Sequence, residues 1–440
     1  MKRLFSQINM QNDSSINKKK KHNKKEKVTQ VCGGSFHILL LTQSKKVYCI
    51  RKNQNSQLSP GDNNNRCTSS QIDSKHFDYE KIIQIRTSGY YSMALTQNGS
   101  VYSWEYDLYS QLDCSDESNK DIPKKVDSIY FNNEPIKYIF TCSYSSFALT
   151  KNNNLYAWRD NCYGQLGLRN DHYISKPTLV DPATYNNEKI IKIECGDDHT
   201  LLLTQMSNGV TNIYSCGANV HGQLGLGHND NKSTFQQVDP NHFANQRIRD
   251  IIASGNFSLA LVDENNSNKT KIYVCGKDHH RQLNPHNEKD RNVPRKIDSL
   301  SSNGETIIGF NNGTHHSFVI TKDSETNKTK VYAWGDNSEG QLGLGHFDQI
   351  KKPTLMNMVY FKEPITFIGA NRGSYGRSYA ITKTGKLFVW GYVHGYLGSN
   401  HPENVDIPQE CCPELFGSEN EKMCMNQSFR DVVFEFDKIK

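Results

Sequence analysis

Four groups of side chains in this 440-residue sequence have types and spacings that could do chemistry. Lys18, Lys19, Lys20, Lys21, Lys24, Lys25 and Lys27 form a basic run suited to phosphate contact or nuclear import. Asp278, His279 and His280 are adjacent, but without cysteine partners or ligand spacing they read as an exposed loop rather than a metal site. Cys411 and Cys412 are neighbouring thiols, read as packing residues. The fourth group is dispersed along the chain. Loops of the form Gly-x-x-His supply His37, His199 and the pair His315-His316, with Asp198 beside His199. Histidine and aspartate there could form a polar binding face, or cap turns and satisfy buried carbonyls. No hydrolase elbow, phosphate loop or metal constellation accompanies them, so no catalytic residue, cofactor or metal is expected.

The elements that must position these loops emerge when the chain is aligned with itself. An aromatic residue recurs at Tyr48, Tyr102, Tyr156, Tyr214, Tyr273, Tyr332 and Phe388, at intervals of 54 to 59 residues. Two positions later stand Ile50, Trp104, Trp158, Cys216, Cys275, Trp334 and Trp390. A leucine follows each aromatic, as in Gly222-Gln223-Leu224-Gly225 and Gly340-Gln341-Leu342-Gly343. Upstream lies a strand whose alternating pairs, from Leu39/Leu41 to Tyr379/Ile381, put one sheet face in a core. A further strand precedes it, such as Ile190-Ile191-Lys192-Ile193. The Gly-rich link after the aromatic is the place for a fourth.

Seven such units predict an all-β, seven-bladed propeller of four-stranded blades, because radial repetition leaves no long exposed sheet edge. A solenoid is the alternative, but these repeats are longer than the usual repeat of about 20–47 residues. Phe429-Arg430-Asp431-Val432-Val433 copies Ile248-Arg249-Asp250-Ile251-Ile252. The expectation is that this C-terminal strand joins the blade of Leu39 to Leu41 and closes the ring. Corresponding loops of every blade then fall on one side. The histidine column reads His37, Tyr91, Ser145, His199, Phe257, His316 and Arg377.

Composition bounds the rest. Residues 1–27 carry a net charge of +7 within a chain total of +6, so the remainder is nearly neutral. The expected division is a disordered basic tail over 1–27 and a propeller over 28–440. Twelve cysteines without a C-x-x-C pair suit a reducing compartment, where cysteine packs as a small apolar residue. No apolar run reaches the ~18 residues of a membrane span, and the N-terminus has no secretory apolar region. The reading is a nuclear or cytoplasmic, non-secreted, monomeric protein without membrane contact.

The run Val331-Tyr332-Ala333-Trp334-Gly335, followed by Glu339-Gly340-Gln341-Leu342-Gly343-Leu344-Gly345, resembles the repeat of the regulator-of-chromosome-condensation family. The resemblance spans residues 28–440 and implies a seven-bladed propeller. The founding member's activity is guanine-nucleotide exchange on the small GTPase Ran. Many relatives bind proteins without it. The family's acidic and histidine loop residues carry over to His37, Asp198, His315 and His316. An acidic residue is also expected where this chain has Ser143, and copy three lacks the family's wedge insertion. The expected function is a regulatory protein-interaction platform. Exchange on a Ran-like GTPase, with DNA or chromatin contact through the tail, is the alternative.

Overall fold

The structure is a computed structural model. It describes residues 25–34, 37–50, 70–88, 91–105, 120–264, 270–278, 290–297, 305–323, 325–326, 328–371, 376–393 and 404–411. Seven antiparallel sheets of four consecutive strands form a ring. The blades span residues 28–71, 82–125, 136–179, 189–237, 248–296, 305–355 and 365–411.

Blade four shows the pattern. Its strands are Lys189–Cys195, His199–Gln205, Thr211–Gly217 and Lys232–Gln237. The second strand, His-Thr-Leu-Leu-Leu-Thr-Gln, is buried at six of its seven positions. This departs from the expected one-sided alternation. Each blade is sandwiched between two others, so its middle strands bury both faces. In blade one, Leu39 and Leu41 pack toward blade two while Ile38 and Leu40 pack toward blade seven. The core is therefore a circle of seams between blades.

Two columns that repeat analysis of the strands passes over organise the links. A one-turn 3-10 helix joins blades at Ser74–Phe77, Ser128–Phe131, Pro182–Tyr185, Pro240–Phe243 and Met358–Phe361. Each starts at an Asp or Asn whose side chain accepts the N–H two residues on, an ordinary N-cap. Each ends on a buried aromatic. Phe77 stands edge-on to Tyr102 and Trp104 of blade two, and Phe361 to Phe388 and Trp390 of blade seven. The second column is Glu26, Glu80, Glu134, Glu188, Gln246, Glu305 and Glu363, two residues before each blade's first buried strand position. Glu188 accepts from Thr204 Oγ1, Asn212 Nδ2 and Tyr214 Oη, fastening the hairpin of its own blade. Glu305 does the same with Thr321 and Tyr332.

The ring closes where blade seven meets blade one. Val28, Val31, Ile38 and Leu40 share a core cluster with Tyr379, Ile381, Leu387 and Val389. Val28 N donates to Gly385 O, and Arg377 Nη1 to Gly34 O. Blade one takes all four of its strands from residues 28–71. The closing role expected of 429–434 lies outside the described residues. Among the described residues no helix is long and apolar enough to cross a membrane.

Candidate functional site: the Gly-x-x-His rim

The Gly-x-x-His loops join first to second strands, so they line one rim of the ring together with the loops that follow the third strands. Register fixes this: His199 pairs with Gly217, and His316 with Gly335.

The motif histidines themselves point inward. His37, His199 and His316 are buried. Their Nε2 atoms reach Ser92, Ser258 and Ser378 of the next blade at 2.8, 2.8 and 2.9 Å. Ser258 and Ser378 donate onward to Gln223 O and Gln341 O, the glutamines of the Gly-Gln-Leu-Gly motifs. A serine that gives its only proton to a carbonyl must accept from the histidine, so Nε2 carries the hydrogen. Burial pushes His37 and His316 down to about 3, and the neutral ring is the working form. The glycine of the motif has its own reason. A Cβ at Gly196 or Gly313 would meet the histidine ring at 2.2 or 2.3 Å.

The two sequence motifs are thus halves of one latch. Histidine and glutamine from one blade clasp a hydroxyl of the next. The glutamine carbonyl takes a second donor from the tryptophan column. Trp390 Nε1 reaches Gln341 O at 2.9 Å, and Cys216 and Cys275 reach Gln165 O and Gln223 O at 3.4 and 3.7 Å. Cysteine replaces tryptophan in that column because both donate from a buried position. A buried asparagine steadies each described motif: Asn161, Asn219 and Asn337 accept from Leu166, Leu224 and Leu342 N–H.

Copies without histidine solve the seam otherwise. Tyr91 Oη donates to Ser145 O at 2.6 Å. Arg159 is buried with its guanidinium 3.5 Å from the Tyr91 ring centre. Its φ of 87° lies in the region that Gly217, Gly276, Gly335 and Gly391 occupy in other copies. Arg159 accepts that backbone strain and fills the space left by Ser145.

Among the described rim residues, an acidic group gathers at the seam of blades three and four. Asp197 and Asp198 are half-buried in the blade-four loop, and Asp160 lies across the seam in blade three. Burial, then the neighbouring charges of Asp197 and Asp160, push Asp198 up to about 6. Ser143 Oγ donates to Asp197 Oδ1 at 3.3 Å, so a carboxylate stands beside the position where the sequence lacks one. His315 is half-buried, and its carbonyl accepts from Asp336 N. Glu339 accepts from Gly376 N–H. Exposed apolar groups join them: Tyr163, Val220 and Phe347 are 44%, 60% and 47% exposed in the loops after third strands.

The structure thus separates the predicted residues. Asp198 and His315 face the rim, whereas His37, His199 and His316 serve the seams. Lys25 is exposed and Lys27 half-buried. Lys18, Lys19, Lys20, Lys21 and Lys24 lie outside the described residues, as do His279, His280 and Cys412. Among the described residues, no cluster of three or more His, Cys, Asp or Glu side chains is placed to hold a metal ion. One cysteine expectation fails. Cys142 and Cys195 are bonded to each other rather than packed as separate apolar groups.

Comparison with known proteins gives this architecture its family. The model of the RCC1-like domain matches residues 6–319, and that of the regulator of chromosome condensation (RCC1) repeat matches residues 329–370. The human regulator of chromosome condensation is 25% identical over 352 residues, covering 75% of this chain and 77% of that protein. The ultraviolet-B receptor UVR8 of Arabidopsis thaliana is 27% identical over 385 residues, covering 87% and 81%. The human E3 ubiquitin-protein ligase HERC2 is 26% identical over 329 residues, which are 74% of this chain and only 6% of HERC2. In fold, human WBSCR16 agrees with a TM-score of 0.67 at 20% identity, covering 83% of this chain and 93% of that one. Prp20p of Saccharomyces cerevisiae, whose structure was studied with its binding to Gsp1p and histones, agrees at 0.62 and 20% identity, covering 78% and 80%. With two family models covering most of its length and seven blades latched by the family's repeat, the chain belongs to the RCC1-like propeller family.

Proposed function

We propose that this protein is a non-covalent protein-binding platform that engages its partner through the Gly-x-x-His rim. The observation that carries the reading is the gathering of Asp160, Asp197 and Asp198 at the seam of blades three and four. Partial burial, then repulsion from Asp197 and Asp160, holds Asp198 up at about 6. A cationic side chain from a partner would offset the repulsion and stabilise the charged form, which favours the bound over the free state. Tyr163, Val220 and Phe347 supply apolar contact on the same rim. The test is affinity capture with the full-length protein, followed by the variant D160N/D198N. Partners lost by this variant, while its melting temperature stays within a few degrees, support the rim. Capture that does not change refutes it.

A second reading is nucleotide exchange on a Ran-like GTPase. It is favoured by the human regulator of chromosome condensation among the relatives and by Asp198 and His315 facing the rim. Exchange needs preferential binding of the nucleotide-free state, not a nucleophile. Against it stands the copy-three loop, where Asn161 and Gln165 make the same bonds as Asn219 and Gln223, without an inserted wedge. Stimulated release of labelled GDP from purified Ran decides this reading. For the basic segment up to Lys27 we propose nuclear accumulation or salt-sensitive contact with DNA or chromatin, tested by comparing full-length and truncated protein.

A further inference from the structure

We propose that Cys142 and Cys195 are a redox-operated staple that controls the rigidity of the acidic rim. The inference rests on the platform reading for its consequence, but not for its chemistry. The two residues are bonded, with Cα atoms 5.3 Å apart, and come from different blades. Cys142 follows the first strand of blade three, and Cys195 ends that of blade four.

The architecture does not require this bond. The positions matching Cys142 hold Gly34, Ser88, Gly196, Ser254, Gly313 and Asn371. Those matching Cys195 hold Gly33, Thr87, Thr141, Ala253, Asn312 and Ala370. No other copy has a cysteine at either position, yet the ring holds. Other buried cysteines make ordinary packing and hydrogen-bond contacts: Cys32, Cys49, Cys216 and Cys275 donate to backbone carbonyls of Ile85, Ser70, Gln165 and Gln223.

Location gives the pair access and leverage. Both cysteines line the axial cavity with Arg86, Thr141 and Glu194, and with only 6% and 2% of their surfaces exposed they meet a small thiol or disulfide through that cavity. On the rim side they flank the acidic group: Ser143 follows Cys142, and Gly196-Asp197-Asp198 follows Cys195. With the bond intact, the two loops are joined covalently and by the Ser143–Asp197 hydrogen bond. Without it, the hydrogen bond remains between those two side chains.

The chemistry is thiol–disulfide exchange with a low-molecular-weight disulfide. The two protein thiols give up two protons and two electrons as their S–S bond forms. The small disulfide takes them and leaves as two thiols, and excess small thiol reverses the step.

The test uses the full-length protein equilibrated in mixtures of reduced and oxidised glutathione, quenched in acid, alkylated and read by peptide mass spectrometry. Cys142 and Cys195 are expected to pass together between the bonded and doubly alkylated forms. Hydrogen exchange of the amides at 143–145 and 196–199 is expected to quicken on the order of tenfold on reduction, and equally in C142S. Independent titration of the two thiols, or unchanged exchange on reduction of the wild type, overturns the staple. Neither result bears on whether the rim binds a partner, which affinity capture alone decides.

Discussion

The Nε2 of His316 lies 2.9 Å from Ser378 Oγ, and that hydroxyl gives its proton to Gln341 O at 2.8 Å. Three residues from two repeat motifs thereby bind blade six to blade seven. Replacing His316 with Ala removes a buried ring and strands the serine's acceptor lone pair. The expected loss is about 2–4 kcal/mol, from cavity formation and one net hydrogen bond. S378A should cost less on its own. In a double-mutant cycle the two losses should be non-additive by at least about 0.5 kcal/mol. Urea unfolding of the four proteins measures this, and additive losses would remove the latch from the account.

The same latches make stability depend on pH. An unfolded histidine protonates near 6.5, whereas His37 and His316 in the fold stay neutral down to about 3. Below 6.5 the unfolded chain therefore binds more protons than the folded one. The contribution is fully present above 6.5 and is lost as pH falls toward 3, at up to about 1.4 kcal/mol per pH unit for each ring. Asp198 acts in the opposite sense. Its folded value of about 6 exceeds its ordinary 3.8, so it favours the fold as pH drops between those limits. Denaturation midpoints measured from pH 7 to pH 5 should fall, and H316N should flatten the decline. An equal slope in wild type and variant would mean that His316 is not the titrating group.

The repeat was legible because a third-strand aromatic recurs in all seven copies and a Gln-Leu pair in six of them, with Tyr396-Leu397 in the seventh. The histidines were harder to place. Histidine next to loop glycines reads as a polar surface, and nothing within a single repeat reveals a partner in the next one. The available signal was a hydroxyl column immediately after the histidine position: Ser92, Ser146, Thr200, Ser258, Ser317 and Ser378. In five of these six copies the buried hydroxyl is satisfied across the seam, by His37, Tyr91, Gln165, His199 and His316 respectively. The 3-10 turns were missed for a different reason. A single turn has no periodicity, and only the Asp/Asn cap with an aromatic four residues later, as in Asp73 to Phe77, marks it. Asp197 was overlooked as Ser143's counterpart because the two meet only after the ring brings blades three and four together.

Ring closure places unusual weight on Arg377. Its Nη1 donates to Gly34 O and its Nε to Tyr392 O, while the side chain is buried. The corresponding residue elsewhere is often a histidine that reaches a serine, but blade one offers Ile38 at that place. A longer side chain is needed to reach a backbone carbonyl. R377A should lower stability by about 3 kcal/mol or more, since it leaves a large void beside two stripped carbonyls. The loosening should be local. Amides of Ile38 to Leu41 and Leu387 to Gly391 should lose exchange protection before those of blade four. Uniform loss of protection around the ring would show that the seam is not the weak point.

Lys192 offers the sharpest test of what a buried charge does in this ring. Its Nζ meets Asp250 Oδ1 at 2.7 Å, Ile251 O at 2.9 Å and Glu194 Oε1 at 3.2 Å, with 9% of its side chain exposed. The two carboxylates hold its pKa well above the ordinary lysine value despite burial. Blades four and five are joined there by charge where two other seams use neutral groups. At the matching place Gln84 exchanges two hydrogen bonds with Ile139, and Gln30 does so with Ile85. K192M leaves two partly buried carboxylates facing each other without a cation, a loss of about 3–5 kcal/mol. The cost lies in the stranded charges rather than in the missing bond. K192M/E194L/D250L should therefore be more stable than K192M alone, although it removes more polar contacts. The single variant should also become less unstable as pH falls toward 4, because protonation quiets the repulsion. Chemical denaturation of both variants at pH 7 and pH 5 reads these two effects, and a triple variant weaker than the single would overturn the argument.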